Sequence, residues 1–384
     1  MTTVNGFLPL SKKVPELTRR DTLTSGTGLL NGNKKTTEVP RGKKVVTIKL
    51  PGLYTGLLAQ PARLNPFLKS DISRQAEEWS REIMGLNEKG YARLRGAQFP
   101  LLAAGFAPDT DANGFRILCD WMIWVFYFDD LFDDGELRND PMAARREINA
   151  HLALHSDDHP DVSPKERPVR LLYQTLWRKI KAISTKGAQQ RYIQSMRHYF
   201  EGIALQVDSV YWHSQGYTAT TFDMYWRGRT HSAGSRPCQA LLEPLYKITL
   251  PDHVWDHPMI KEAEDTATHL IMFYNDVLSY RKEASELVPH NSIHILQRER
   301  GYSLQEAYDF ANQLIKQMFQ RWYWAQQCLP SWGEEIDIQV QKYLQGVLDQ
   351  AKGNLDWSFG SRRYLGKDSE AARATMTLDF VVDE

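Results

Sequence analysis

The sequence predicts an all-α protein, a single-domain helical bundle, and three observations predict it. From about residue 72 onward apolar positions recur at spacings of three and four. Strand-like alternation is almost absent from that stretch, and clusters of Gly, Pro and Asp punctuate it into helix-sized segments. The 384 residues, 42% apolar, 24% charged and 11% aromatic, supply a large core and exclude fibrous, collagen-like and wholly disordered chains.

Taken in order, the first 50 residues stand apart. They hold ten basic residues against three acidic ones, with Ser, Thr, Gly and Asn between them and no apolar period. Residues 1–49 therefore read as a basic tail, disordered over 1–41. A targeting role is the alternative, although no secretory apolar core is present. Helices of three or more turns follow over 72–84, 113–132, 167–183, 189–209, 259–283, 304–327 and 336–357. No repeat or low-complexity linker divides them, so one helical domain spans 50–366 and residues 367–384 form a loose C-terminal tail.

Whole-chain charge excludes two classes of partner. Lys plus Arg equals Asp plus Glu at 47 each, which leaves no electrostatic footprint for nucleic acid. No uncharged run reaches the roughly 18 residues of a membrane span, and residues 96–108 contain two prolines, so no stable membrane insertion is expected. Three widely spaced cysteines, Cys119, Cys238 and Cys328, give neither a disulfide framework nor a zinc spacing. A soluble protein of the reducing cytoplasm fits these features.

The chemistry concentrates first in WMIWVFYFDDLFDDGEL, residues 121–137. Phe115, Leu118, Met122 and Phe126 step by three or four along one helix face, and the stepping continues to Asp129 and Asp133. Two carboxylates thus fall on the core side. An unpaired buried carboxylate is heavily penalised, so these positions call for a cation, and a hard, oxygen-ligated ion such as Mg2+ suits them best. The alternative is a helix that ends in a solvated acidic turn.

A second polar face lies in NDVLSYRKE, residues 275–283. At about 100° per residue, Asn275, Ser279 and Glu283 advance by roughly 40° each and Lys282 falls beside Asn275. An amide oxygen, a hydroxyl and a carboxylate so aligned can hold a divalent ion while the lysine meets an anion. Alone the pattern also fits solvated surface. Paired with the aspartate helix, it places two metal faces on two helices of one bundle.

With these motifs in hand, the chain resembles the class I terpene synthases (isoprenoid synthase fold) of the fungal and bacterial sesquiterpene cyclase type, over about residues 50–366. Arg229, 46 residues before Asn275, and the terminal pair Arg363 and Tyr364 in SRRYLG match further family elements. Within the family, WVFYFDDLFDDG, NDVLSYRKE, RWYWA and GNLDWSF before RYLG are most similar to the fungal presilphiperfolanol synthases. The resemblance implies a lyase of fungal secondary metabolism with three Mg2+ ions. Asp129 holds two of them while Asp133 acts mainly through hydrogen bonds, and Asn275, Ser279 and Glu283 hold the third. Arg229, Lys282, Arg363 and Tyr364 contact the diphosphate, and Ser232, Ala233 and Gly234 form an effector on a broken helix. Farnesyl diphosphate would be ionised to a carbocation that cyclises to a polycyclic sesquiterpene, on a monomer or homodimer. Leu131, Asp134 and the residues after Arg229 depart from the pattern, so the product skeleton stays open.

Phe126, Tyr225 and Trp357 lie within a turn or two of diphosphate residues and are candidates for the cation-stabilising wall. Acids and histidines at 155–161, and His253, Asp256 and His257, read as solvated connections, and residues 321–325 as packing between helices. Three other functions compete. A chain-elongating prenyl diphosphate synthase needs a second aspartate-rich motif in place of Asn275, Ser279 and Glu283. A protonation-initiated cyclase needs DxDD, which is absent. A non-enzymatic scaffold leaves polar ligands on core stripes without a reason.

Overall fold

The computed structural model describes residues 43–383 apart from 164, 166, 218–219, 286–289 and 362, with the backbone alone at 383. The tail expected over 1–41 lies outside the described residues. In chain order the elements are β1 (Lys43–Lys49), α1 (Asp71–Met84), α2 (Glu88–Ala97), α3 (Phe99–Phe106), α4 (Ala112–Asp133) and α5 (Pro141–Ala153). Next come α6 (Pro168–Ile183), α7 (Lys186–Ser214), α8 (Phe222–Ser232), α9 (Ser235–Leu245), α10 (Asp252–Trp255) and α11 (Pro258–Ser285). The chain closes with α12 (Ser292–Arg300), α13 (Leu304–Gln327), α14 (Glu334–Gly360), α15 (Ser369–Thr375) and β2 (Thr377–Asp383).

Local chemistry accounts for the helix starts. Asp111 accepts a hydrogen bond from Gly114 N at 3.0 Å at the head of α4, and Thr185 accepts from Ala188 N at 3.2 Å at the head of α7. Ser303 and Glu306 form a reciprocal capping box on α13. All seven helices expected from periodicity are present. Those that periodicity missed are mostly short, or lack a polar face: in α3, Phe99, Pro100, Leu102, Ala103, Ala104, Gly105 and Phe106 are all buried, so no amphipathic rhythm shows.

Packing arranges α3, α4, α7, α9, α11 and α14 around a central cavity. α4 rests on α1, α3 and α6; α7 on α5, α8 and α9; α11 on α13 and α14. Where α3 crosses α14 the backbones touch: a Cβ on Gly105 would lie 2.6 Å from the Gly353 Cα. Only glycine at both positions permits that approach. It brings Leu102 and Phe106 to the same cavity wall as Asn354.

Two boundaries need correction. Residues 43–49, assigned to the tail, form β1, and residues 367–383, assigned to a loose end, form a 3-10 turn, α15 and β2. The strands pair antiparallel with Lys43 opposite Asp383 and Lys49 opposite Thr377. Ile48, Leu378 and Phe380 are buried, and the Phe380 ring lies 6.0 Å from Tyr280 and 6.2 Å from Tyr308. A lone two-stranded ribbon is marginal in water, so docking on α11 and α13 is what holds it. Partners more than 300 residues apart leave no local signal of pairing.

Candidate active site

The cavity encloses about 1290 Å³, its open mouth included. One part is polar, lined by Asp129, Asp130, Asp133, Asp134, Gln206, Arg229, Asn275, Lys282, Glu283, Arg363 and Tyr364. The other is largely apolar, with Leu102, Phe106, Trp121, Met122, Val125, Phe126, Ile203, Cys238 and Ile271. A charged head group and a hydrocarbon chain would find separate environments in one space.

Helix α4 brings Asp129 and Asp133 to the cavity, but Asp129 is only partly buried and Asp133 is exposed at the mouth, where the apolar stripe has run out of core. The Tyr199 hydroxyl donates to Asp129 Oδ1, and Gln206 Nε2 donates to Asp133 Oδ1 at 2.6 Å. Asp130 pairs with Arg363 Nη2 at 3.2 Å. Burial, reinforced by the nearby Asp133, pushes the Asp129 carboxyl up to about 8. Tyr199 and Gln206 escaped the sequence reading, although a seven-residue interval on one helix places them on one face.

Helix α11 supplies the facing row. Asn275 Oδ1 accepts from Arg229 Nη2 at 2.8 Å, and Asn275 Nδ2 donates to the Tyr364 hydroxyl at 2.8 Å. One amide thus joins the arginine of α8 to the tyrosine that follows α14. Glu283 Oε2 accepts from Asn291 Nδ2 at 2.9 Å, and burial pushes its carboxyl up to about 7. Ser279 is buried and its Oγ has no hydrogen-bond partner. Lys282 lines the same cavity.

Behind this row stands Asp276, which the sequence reading passed over because it sits about 100° round the helix from Asn275. It accepts from the Tyr225 hydroxyl at 2.6 Å and Ser292 N at 3.1 Å, and lies 3.9 Å from Arg229 Nε. Burial acts to lower the Arg229 pKa, but Tyr225, Asp276, Glu283 and Asp133 outweigh it and raise the pKa, so the guanidinium stays charged. His290, also on the cavity wall, is pushed down to about 3 by burial and by Arg229, and is neutral.

Do these residues suit a divalent cation? Among the described residues no group of three His, Cys, Asp or Glu side chains forms a self-sufficient metal site. Each face instead offers carboxylate oxygens with a neutral amide, hydroxyl or phenol nearby, and leaves coordination for a ligand's own oxygens. Two carboxyls with raised pKa values, Asp129 and Glu283, are the groups a hard cation would satisfy; Ser279 is buried beside Glu283 and takes no part in the cavity lining. The donor set fits magnesium.

The aromatic wall differs from the expected one. Phe126 does line the cavity, stacked 4.5 Å from Phe99, with the Arg363 guanidinium 4.7 Å from its centroid. Tyr225 and Trp357 do not. Tyr225 is committed to Asp276, and Trp357 turns its Nε1 to the Ala97 carbonyl at 2.8 Å and backs Phe126 at 5.3 Å. In their place Phe106 and Trp121 face the space, the latter fixed by its Nε1 bond to Tyr192 at 3.1 Å.

Between α8 and α9 the chain breaks at Gly234, whose φ of +71° suits glycine. Ser232, Ala233 and Gly234 therefore all border the cavity. Asp157 and Asp161 make surface ion pairs with Lys181 and Arg178, as a solvated connection should. His155 is instead packed against Tyr173 and Trp177. Trp322 is buried in the interior, while Tyr323 and Trp324 are exposed, away from the cavity.

Comparison with known proteins bears on this geometry. The family model described as "Terpene synthase family 2, C-terminal metal binding" matches residues 120–321. The chain is 34% identical to silphinene synthase of Penicillium patulum, over 87% of this chain and 90% of that protein. It is 30% identical to (+)-eremophilene synthase of Gibberella fujikuroi, over 89% and 92% respectively. Among solved structures, germacradien-4-ol synthase of Streptomyces citricolor superposes with a TM-score of 0.68 at 22% identity, covering 80% of this chain and 98% of that one.

Proposed function

The chain belongs to terpene synthase family 2, the class I terpene synthases, and on that premise we propose that it ionises farnesyl diphosphate and cyclises the C15 cation to a polycyclic sesquiterpene, releasing diphosphate. The observation that carries this reading is the arrangement of Arg229, Asn275 and Tyr364, hydrogen-bonded in line and sharing the cavity with Asp129 and Asp133. It joins cationic and phenolic donors to two oxygen-rich faces at the polar part of a cavity whose remainder is hydrocarbon in character.

Asp129 and Asp133 on one side, and Asn275, Ser279 and Glu283 on the other, would hold Mg2+ ions, three in all by the family resemblance. Magnesium, when bound, neutralises charge growing on the diphosphate as the C–O bond breaks. Arg229, Lys282, Arg363 and Tyr364 donate to the same oxygens, and preorganised donors in a sheltered site need little rearrangement during reaction. Tyr199 and Gln206 orient the α4 carboxylates. Phe106, Trp121 and Phe126 present ring faces that stabilise cations by quadrupole attraction, and their bulk favours a C15 over a C20 chain. Among the described residues the lining of the apolar part carries no ionised base, so a quench by deprotonation would hand the proton to the released diphosphate.

The relatives named above support cyclisation over chain elongation, as does the Asn, Ser and Glu row of α11 in place of a second aspartate-rich motif. No described helix is long and apolar enough to cross a membrane. We place the reaction in the cytoplasm, on a monomer or homodimer. Incubation with geranyl, farnesyl and geranylgeranyl diphosphate and Mg2+, followed by diphosphate assay and gas chromatography–mass spectrometry of the extract, tests the reading. Farnesyl diphosphate should give a cyclic C15 product; elongated diphosphates, or no diphosphate release from any substrate, would overturn it.

A further inference from the structure

At the end of α11, Lys282 and Glu283 border the cavity, while the two residues before them take no part in its lining. Tyr280 meets the Phe380 ring of β2. Arg281 reaches three groups at once: Nη2 donates to Asp368 Oδ2 at 2.8 Å and to the Leu365 carbonyl at 3.3 Å, and Nη1 to the Asp379 carbonyl at 3.5 Å. Leu365 directly follows Tyr364. A single side chain on the helix of Asn275 and Glu283 thus grips the segment that carries Arg363 and Tyr364.

That segment needs a grip. α14 ends at Gly360, and non-helical chain carries Arg363 and Tyr364 toward the 3-10 turn at Gly366–Asp368. Loops without tertiary anchors move, and a diphosphate contact held loosely is a weak one. Beyond Arg281, the strand pair secures it from the far side, since Gln305 bonds Lys49 in both directions, at 2.9 Å to its N–H and 3.1 Å to its carbonyl. Asp356 of α14 gathers Arg373 at 2.8 Å, the Tyr54 hydroxyl at 3.0 Å and Ala62 N at 2.8 Å. Lys49, Tyr54, Ala62 and Arg373 are therefore fastened to α13 and α14, and Arg281 links that clasp to the α11 row.

We propose that Arg281 is a positioning residue for the diphosphate site, holding Arg363 and Tyr364 in register with Asn275, Lys282 and Glu283 by clamping the Leu365 carbonyl, Asp368 and the Asp379 carbonyl. It touches neither substrate nor metal in this role. The inference rests on the site being a diphosphate site, as read above. A charge-assisted bond that is only partly buried supports an effect of about tenfold on anion affinity.

The test uses the full chain with Arg281→Met, Arg281→Lys and Asp368→Asn. Inorganic diphosphate in Mg2+ is titrated calorimetrically into each, with melting temperature and steady-state kcat and KM measured alongside. Arg281→Met should bind inorganic diphosphate about tenfold more weakly and raise KM by a similar factor. Arg281→Lys should recover part of the loss, because an ammonium still meets Asp368 but cannot span all three oxygens. Asp368→Asn attacks the clamp from its other side and should weaken binding in the same direction, so it decides the matter if Arg281→Met does not fold. Lowered melting with unchanged diphosphate affinity in the folded variants would reduce Arg281 to a structural role and overturn the proposal. Wild-type protein that bound no diphosphate would overturn the reading of the site as well.

Discussion

Asp129→Asn should make the metal-free protein more stable while stopping its chemistry. The Asp129 carboxyl is pushed up to about 8, against an ordinary value of 3.8. A carboxyl with a raised folded pKa binds more protons folded than unfolded between those values, so its contribution to stability falls as pH rises through that window. At about 1.4 kcal/mol per pH unit, an isolated group so displaced would cost roughly 4 kcal/mol at pH 7. Water in the open mouth, which leaves Asp129 only partly buried, screens part of this, leaving about 1–3 kcal/mol for the amide to recover. For a chain of this length that corresponds to roughly 1–4 °C in melting temperature. The assay is thermal unfolding in chelator from pH 5 to pH 8, for wild type and Asp129→Asn, paired with diphosphate release in Mg2+. The variant's advantage should grow with pH while its release rate falls at least about a hundredfold, because the substitution removes the negative charge that attracts the cations to the α4 face. Equal or lower stability of the variant at pH 8, or a gap that does not change with pH, would refute the reasoning.

Loss of other site residues should sort by what they touch. Asn275→Ala breaks the link between Arg229 and Tyr364 and should nearly abolish diphosphate release with helical circular dichroism intact; turnover at the wild-type rate would misplace the α11 face. Arg229→Ala and Arg363→Ala should slow every prenyl diphosphate tried, whereas altered products at an undiminished rate would move those arginines into the hydrocarbon wall. Trp357→Ala removes a ring that packs on Phe99, Phe126 and Tyr364, so it should cost about 3–5 kcal/mol and shift products toward early-quenched acyclic or monocyclic ones through a loosened Phe126. An unchanged melting temperature would contradict that packing. Deleting residues 1–41 should leave turnover within a few-fold, while deleting 1–49 removes β1 and should lower both melting temperature and substrate affinity.

The longer helices and the polar faces are legible in the amino-acid sequence, because both are written in local spacing. A 3.6-residue period runs through α4, α7, α11, α13 and α14, and the same arithmetic that aligns Phe115, Leu118, Met122 and Phe126 carries Asp129 and Asp133 along that face to the cavity, although Asp133 ends exposed at its mouth. Asn275 and Glu283 were legible for the same reason, and both line the cavity, while Ser279 is buried outside its lining. Which way side chains turn, when helices have neighbours on several sides, is settled by packing and not by local spacing. Tyr225 and Trp357 occupy helices that border the cavity, yet Asp276 and the Ala97 carbonyl draw their polar ends elsewhere, and Phe106 and Trp121 take the wall from α3 and α4. Tyr199 and Gln206 became visible only when α7 was laid beside α4. The pairing of β1 with β2 lay furthest from view, since it joins residues more than 300 positions apart through backbone bonds that no local pattern encodes, and its stability comes from Phe380 docking on Tyr280 and Tyr308.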